Sequence, residues 1–157
     1  MTSTIGANFT STYTEDQFLT DGNAPGLGDI VWSQGKCYKF VKYDTGAGSV
    51  AAVAGNIAYY YTLDGYKNVT VTSDLSDSVE IGAGVLQSAP GDGEYGWIQI
   101  KGAATITPAL TAGADGDPLT PTGSSDGTLD VSAAATDHVC AYAGDISDKE
   151  IICDFPF

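Results

Sequence analysis

This sequence predicts an all-β fold: a small antiparallel β-barrel or sandwich, β-tulip-like, with short helical turns and an extended N-terminal arm. Three observations carry that prediction. Short runs of alternating apolar and polar residues recur along the chain, as in Val69-Thr70-Val71-Thr72 and Trp97-Ile98-Gln99-Ile100. Turn signals separate them: the 20 glycines among 157 residues are close to twice the usual share of about 7%. No stretch sustains a helical period, which leaves short strands joined by turns as the organising unit.

Residues 1–28 read as arm and linker, and residues 29–157 as the β domain. The arm is rich in Thr, Ser and Asn, and Thr14 followed by Gln17 has the spacing of a capping box for one helical turn. Asp21 to Gly28, DGNAPGLG, is a cluster of structure breakers that marks the boundary. Asp29–Trp32 and Lys36–Tyr43 then read as two strands joined by a turn at Ser33-Gln34-Gly35. Alternation puts Tyr38 and Phe40 on one face of the second strand, and Cys37, Val41 and Tyr43 on the other, with lysines on both.

Ser49–Ala54 is alanine-rich and reads as a short helical turn. Ile57–Thr62, with three consecutive tyrosines, suits a strand with aromatic groups on both faces. Asn68–Thr72 alternates, with Val69 and Val71 expected inward and Thr70 and Thr72 outward. An acidic loop over Ser73–Glu80 follows, then a strand at Gly84–Leu86 and a turn at Ser88–Gly93. Tyr95–Lys101 reads as a strand bracketed by Gly96 and Gly102, where glycine marks a bend or close backbone approach. It puts Ile98 and Ile100 on one face and Tyr95, Trp97, Gln99 and Lys101 on the other. Pro118–Thr120, Thr128–Val131, Val139–Ala143 and Glu150–Phe155 complete the strands. The ending, IICDFPF, is expected to be buried in the domain or against a neighbouring chain.

Charge narrows the function classes. Twenty acidic residues against six lysines and no arginine give a net charge of −14. Arginine is the residue suited to phosphate forks and base edges, so nucleic acid is not an expected partner. No apolar run reaches membrane-spanning length, and MTSTIGANFT has neither the basic start nor the apolar centre of a secretory signal. Cys37, Cys140 and Cys153 show neither CxxC nor zinc spacing. They read as buried free thiols of a protein assembled in a reducing cytoplasm.

Catalytic chemistry finds few components. Any hydrolase triad would have to use His138, with Cys140 two residues away on the same strand face, and same-strand neighbours seldom form an oriented nucleophile–base pair. The carboxylates sit in turns such as ADGDP and GDISDKE, where Asp supports the turn by accepting backbone amides. Asp74, Asp77 and Glu80 are close in sequence but lack the spacing of a helix-loop-helix calcium site. The expectation is a non-enzyme without cofactor or metal.

Several motifs carry a family resemblance: GDIVW, VAGNIAYYYT, IGAGVLQSA, EYGWIQIKGAATI, ALTAGADGDPLTP and DGTLDV, spread between Asp29 and Phe157. In this order they resemble the capsid decoration (cement) proteins of tailed bacteriophages, and the layout is similar to that of the phage lambda head decoration protein. The resemblance implies a virion structural protein on the outer surface of the head, stabilising it as a homotrimer bound to the major capsid protein. It also implies an arm that adds a strand to capsid subunits, assigned here to Thr2, Ser3, Thr4, Ile5, Asn8, Phe9, Thr10 and Tyr13. Tyr59, Tyr60, Tyr61, Trp97, Phe155 and Phe157 are the candidates for subunit contacts. The alternative is a carbohydrate-binding β module displayed on a virion or cell surface, with Trp32, Trp97 and the tyrosines as its platform.

Overall fold

In a computed structural model, which describes residues 7–62, 69–110 and 112–157, ten strands form one connected sheet in the order β1-β2-β4-β3-β5-β6-β10-β9-β7-β8. The strands are β1 (Ile30–Ser33), β2 (Lys36–Tyr43), β3 (Ile57–Tyr61), β4 (Thr70–Thr72) and β5 (Ser78–Leu86), followed by β6 (Tyr95–Thr105), β7 (Pro118–Thr120), β8 (Asp130–Val131), β9 (Ala141–Asp145) and β10 (Glu150–Asp154). An additional pairing of β2 with β6 closes β2-β4-β3-β5-β6 into a five-stranded ring. Closure removes two sheet edges that would otherwise be open. β1 extends the ring from β2, and β10-β9-β7-β8 extends it from the C-terminal half of β6.

The β1–β2 hairpin turns through Gln34 and Gly35, both at positive φ (51° and 77°). That is the backbone a two-residue turn needs to match the strand twist. β6 is longer than the sequence predicts because it passes through Gly102 without stopping. Gly102 sits at φ +90°, and a Cβ there would lie 2.8 Å from the Gly35 carbonyl oxygen. A glycine at this point lets the strand bend past the β1–β2 turn and go on to pair with β10.

Alternation along β2 and β6 produces two apolar clusters. Cys37, Val41, Tyr43, Ile98 and Ile100 point into the main core with Ile57, Tyr59, Val71, Val85, Leu119, Ile151 and Phe155. Tyr38, Phe40, Tyr95 and Trp97 form a second, wholly aromatic cluster on the opposite face. What covers that face is the N-terminal segment: Phe9, Tyr13 and Phe18 pack onto it. The segment expected as an arm is therefore docked over these residues. Within it, α1 (Glu15–Thr20) starts from a complete Thr14/Gln17 capping box.

Several sequence expectations change. Ser49–Ala54 is not helical; a turn over residues 46–49 leads into chain without regular secondary structure and a second turn at 54–55. The cause is tertiary, because Asp74 and Asp77 carboxylates accept the amides of Gly48 and Ala47 and hold this loop open. The acidic segment after β4 is not simply a loop. It makes a 3-10 turn (Leu75–Asp77) capped by Asp74 and enters β5 at Ser78, well before Gly84. Thr72, expected outward, is fully buried, where its hydroxyl accepts the Asp74 amide at 3.0 Å.

Candidate interaction surface

The three cysteines turn out to be packed within the fold, while the one histidine has a buried ring nitrogen left unbonded among the described residues. Cys37, Cys140 and Cys153 are free and buried. Burial pushes all three thiols up, Cys153 to about 12, and the Cys140 thiol donates to the Leu119 carbonyl at 3.7 Å. Such thiols stay protonated and are poor nucleophiles. His138 lies just before β9, and its Nδ1 is buried with no hydrogen-bond partner among the described residues.

Asp74 and Asp77 meet on the loop of residues 46–48, while Glu80 points elsewhere. Asp74 accepts Ser76 Oγ at 2.6 Å and the Gly48 amide at 2.8 Å, and Asp77 accepts the Ala47 amide. Glu80 instead accepts the Thr122 hydroxyl at 3.4 Å. Bonds from the Ser76 side chain, followed by the loop amides, hold the Asp74 carboxyl below the usual carboxylate range. Nearby, the amide and hydroxyl of Thr45 do the same for Asp92.

The aromatic residues chosen from sequence divide into two groups. Tyr59 and Phe155 are fully buried, and Tyr60 and Trp97 nearly so. Tyr59 donates its hydroxyl to the Thr128 and Ser125 carbonyls. Tyr60 accepts from the buried Lys39 ammonium at 3.0 Å, and burial raises its phenol to about 12. These four pack within one chain, Trp97 against Phe9 and Phe40. Tyr61 is half-buried. Phe157 is exposed, with the Lys101 ammonium 5.0 Å from its ring centroid.

In the arm, Thr2, Ser3, Thr4 and Ile5 lie outside the described residues. Asn8 and Thr10 are exposed and bonded to each other, Asn8 Oδ1 accepting the Thr10 hydroxyl at 2.7 Å. Phe9 and Tyr13 face inward. The Phe9 ring stacks on Tyr38 at 3.9 Å and meets Trp97 edge-on at 5.2 Å. Tyr13 exchanges two 2.9 Å backbone hydrogen bonds with Tyr95, a single bridge of strand pairing.

The surface that alternation alone did not reveal lies on the outer side of the β6-β10-β9-β7 extension. Register aligns Ala103 with Ile152, Ile152 with Tyr142, and Tyr142 with Pro118. Their neighbours along the strands, Ile151, Cys153, Ala141 and Ala143, fill the core. This row therefore faces away from the core, with Ile152 47% and Tyr142 44% exposed. One end of the face carries the Lys101–Asp154 ion pair at 2.7 Å with Phe157 beside it. The signal in the sequence was the alternation of Tyr142 and Ile152 with buried partners, but it becomes a surface only when the two strands are paired. At the β1 edge, Ile30 and Trp32 are also exposed.

Compared with protein-family models, curated proteins and solved structures, the chain finds no match.

Proposed function

We propose that this chain is a capsid decoration protein that binds the outer surface of a phage head, contacts the major capsid protein and reinforces the shell as a homotrimer. The observation that carries the reading is the open face of β6-β10-β9-β7, where Tyr142 and Ile152 are exposed side by side on a framework of paired strands. Apolar and aromatic groups held on a rigid sheet are what a protein–protein contact uses. The motif resemblance and the acidic, arginine-free composition support the same reading. Many copies on one shell turn modest contacts into a large total stabilisation.

Two measurements test it together. Light scattering gives the mass of the chain in solution, and cosedimentation with undecorated heads gives binding. Saturable binding to heads, by a trimer or by a monomer that trimerises on the shell, is the expected result. A stable monomer that ignores heads refutes the proposal.

A further inference from the structure

We infer that the outer face of the β6-β10-β9-β7 sheet is a docking face for a basic protein surface, one that sets apolar groups between lysines or arginines. The apolar centre is the cross-strand row Ala103, Ile152, Tyr142 and Pro118. Acids gather at the end of the sheet away from Lys101. Glu150 pairs with Asp145 at the β9–β10 turn, and Asp148 lies in that turn. The loop before β7 brings Asp115 and Asp117 alongside, since Asp115 accepts the Ile146 amide at 3.0 Å and the Gly116 amide donates to the Ala143 carbonyl at 2.8 Å.

Five carboxylates thus lie at one end of the apolar row, against Lys36, which shares a recess with Ala103 and Glu150. Asp115, Asp117 and Asp145 keep their charge while accepting the Ile146, Ala114 and Asp148 amides. Lys149, in the same turn, turns its ammonium onto the Thr107 carbonyl at 2.9 Å. At the other end Lys101 is already paired with Asp154. The Ser147 hydroxyl and the Asp148 amide hold the Asp145 carboxyl below its ordinary value.

Charge selects the occupant. A second copy presenting this same face would set the same five acids against them, and like charges directly across an interface oppose association; a trimer would have to form through another face. A basic surface is attracted instead, and its apolar groups cover Tyr142 and Ile152. The inference rests on the decoration reading only for the identity of the partner, which would be the capsid surface beneath this face.

A defined probe tests the chemistry separately from the shell. The full chain is titrated by amide chemical shift with a short peptide alternating lysine and valine, then with its glutamate–valine counterpart and with a neutral oligosaccharide. The lysine peptide should shift amides at Tyr142, Ile152 and Ala103, and its affinity should fall as salt screens the acids. Replacing both Tyr142→Ser and Ile152→Ser should weaken it about tenfold, as expected for removal of central interface groups. A single Ile152→Lys variant, which adds a like charge at an exposed site, gives a second route to the same loss. Shifts spread over other acidic loops, equal binding by the variants, or a response at this face only to the oligosaccharide would overturn the inference.

Undecorated heads separate the two claims. Heads that bind wild type and both variants equally overturn the inference and leave the decoration reading standing. Heads that ignore wild type, while the lysine peptide still maps to the face, refute decoration and support the docking chemistry.

Discussion

Replacing Phe9 by alanine should loosen the N-terminal segment without unfolding the ring of strands. Phe9 is partly buried, so the lower part of the ~1.5–3 kcal/mol gained by fully burying such a side chain is at stake, taken as roughly 1 kcal/mol. Its stacking on Tyr38 and edge contact with Trp97 add about 0.5 kcal/mol each at the low end for aromatic pairs. The total, about 2 kcal/mol, corresponds to a roughly 30-fold change in an opening equilibrium. Hydrogen exchange reads this directly at the Tyr13 amide, which donates to the Tyr95 carbonyl at 2.9 Å. In Phe9→Ala the Tyr13 amide should exchange about 30-fold faster, with Ile57 and Val71 amides in the main core unchanged, because local opening bypasses global unfolding. Trp97 emission should shift to the red as its cover opens. Equal acceleration at Tyr13, Ile57 and Val71 would refute the reasoning, since it would make the segment part of one cooperative unit. No change at Tyr13 would show that Phe9 does not hold it.

Further outcomes follow from the same geometry. Gly102→Ala places a Cβ 2.8 Å from the Gly35 carbonyl at φ +90° and should cost about 2 kcal/mol, within the range for strained backbone, read as a lower urea midpoint. Asp74 and Asp92 both have carboxyls held below the ordinary range by hydrogen bonds. Their contribution to stability is therefore present above the unfolded pKa of about 3.9 and lost as pH falls through the lower folded values. A pH series of thermal midpoints should drop on acidification below that point, and Asp74→Asn should flatten the drop; an unchanged profile counts against the assignment. A thiol reagent should find none of the three cysteines reactive in the folded chain and all three after denaturation, because each is buried and protonated. Rapid labelling of native protein would contradict the packing of Cys140 and Cys153.

Local rules account for much of this chain. The sequence alone located the β1–β2 turn around Gln34-Gly35 (with Ser33, which the structure gives to β1), the Thr14 cap and the C-terminal strands, because turn chemistry and capping act over a few residues. It also determined which residues share a face, separating Tyr38 and Phe40 from Cys37, Val41 and Tyr43, and Trp97 from Ile98. A period of two needs only the pleat to do this. What covers each face is a different matter, because it depends on partners far away in the chain. Tertiary structure alone decided that β2 closes on β6, and that Phe9, Tyr13 and Phe18 cover the aromatic side of that pair. It also buried Tyr59, Tyr60, Trp97 and Phe155, residues whose size suits a core and an interface equally. The same cause left Tyr142 and Ile152 in solvent: β9 and β10 pack one side onto the core, and among the described residues no element crosses the other.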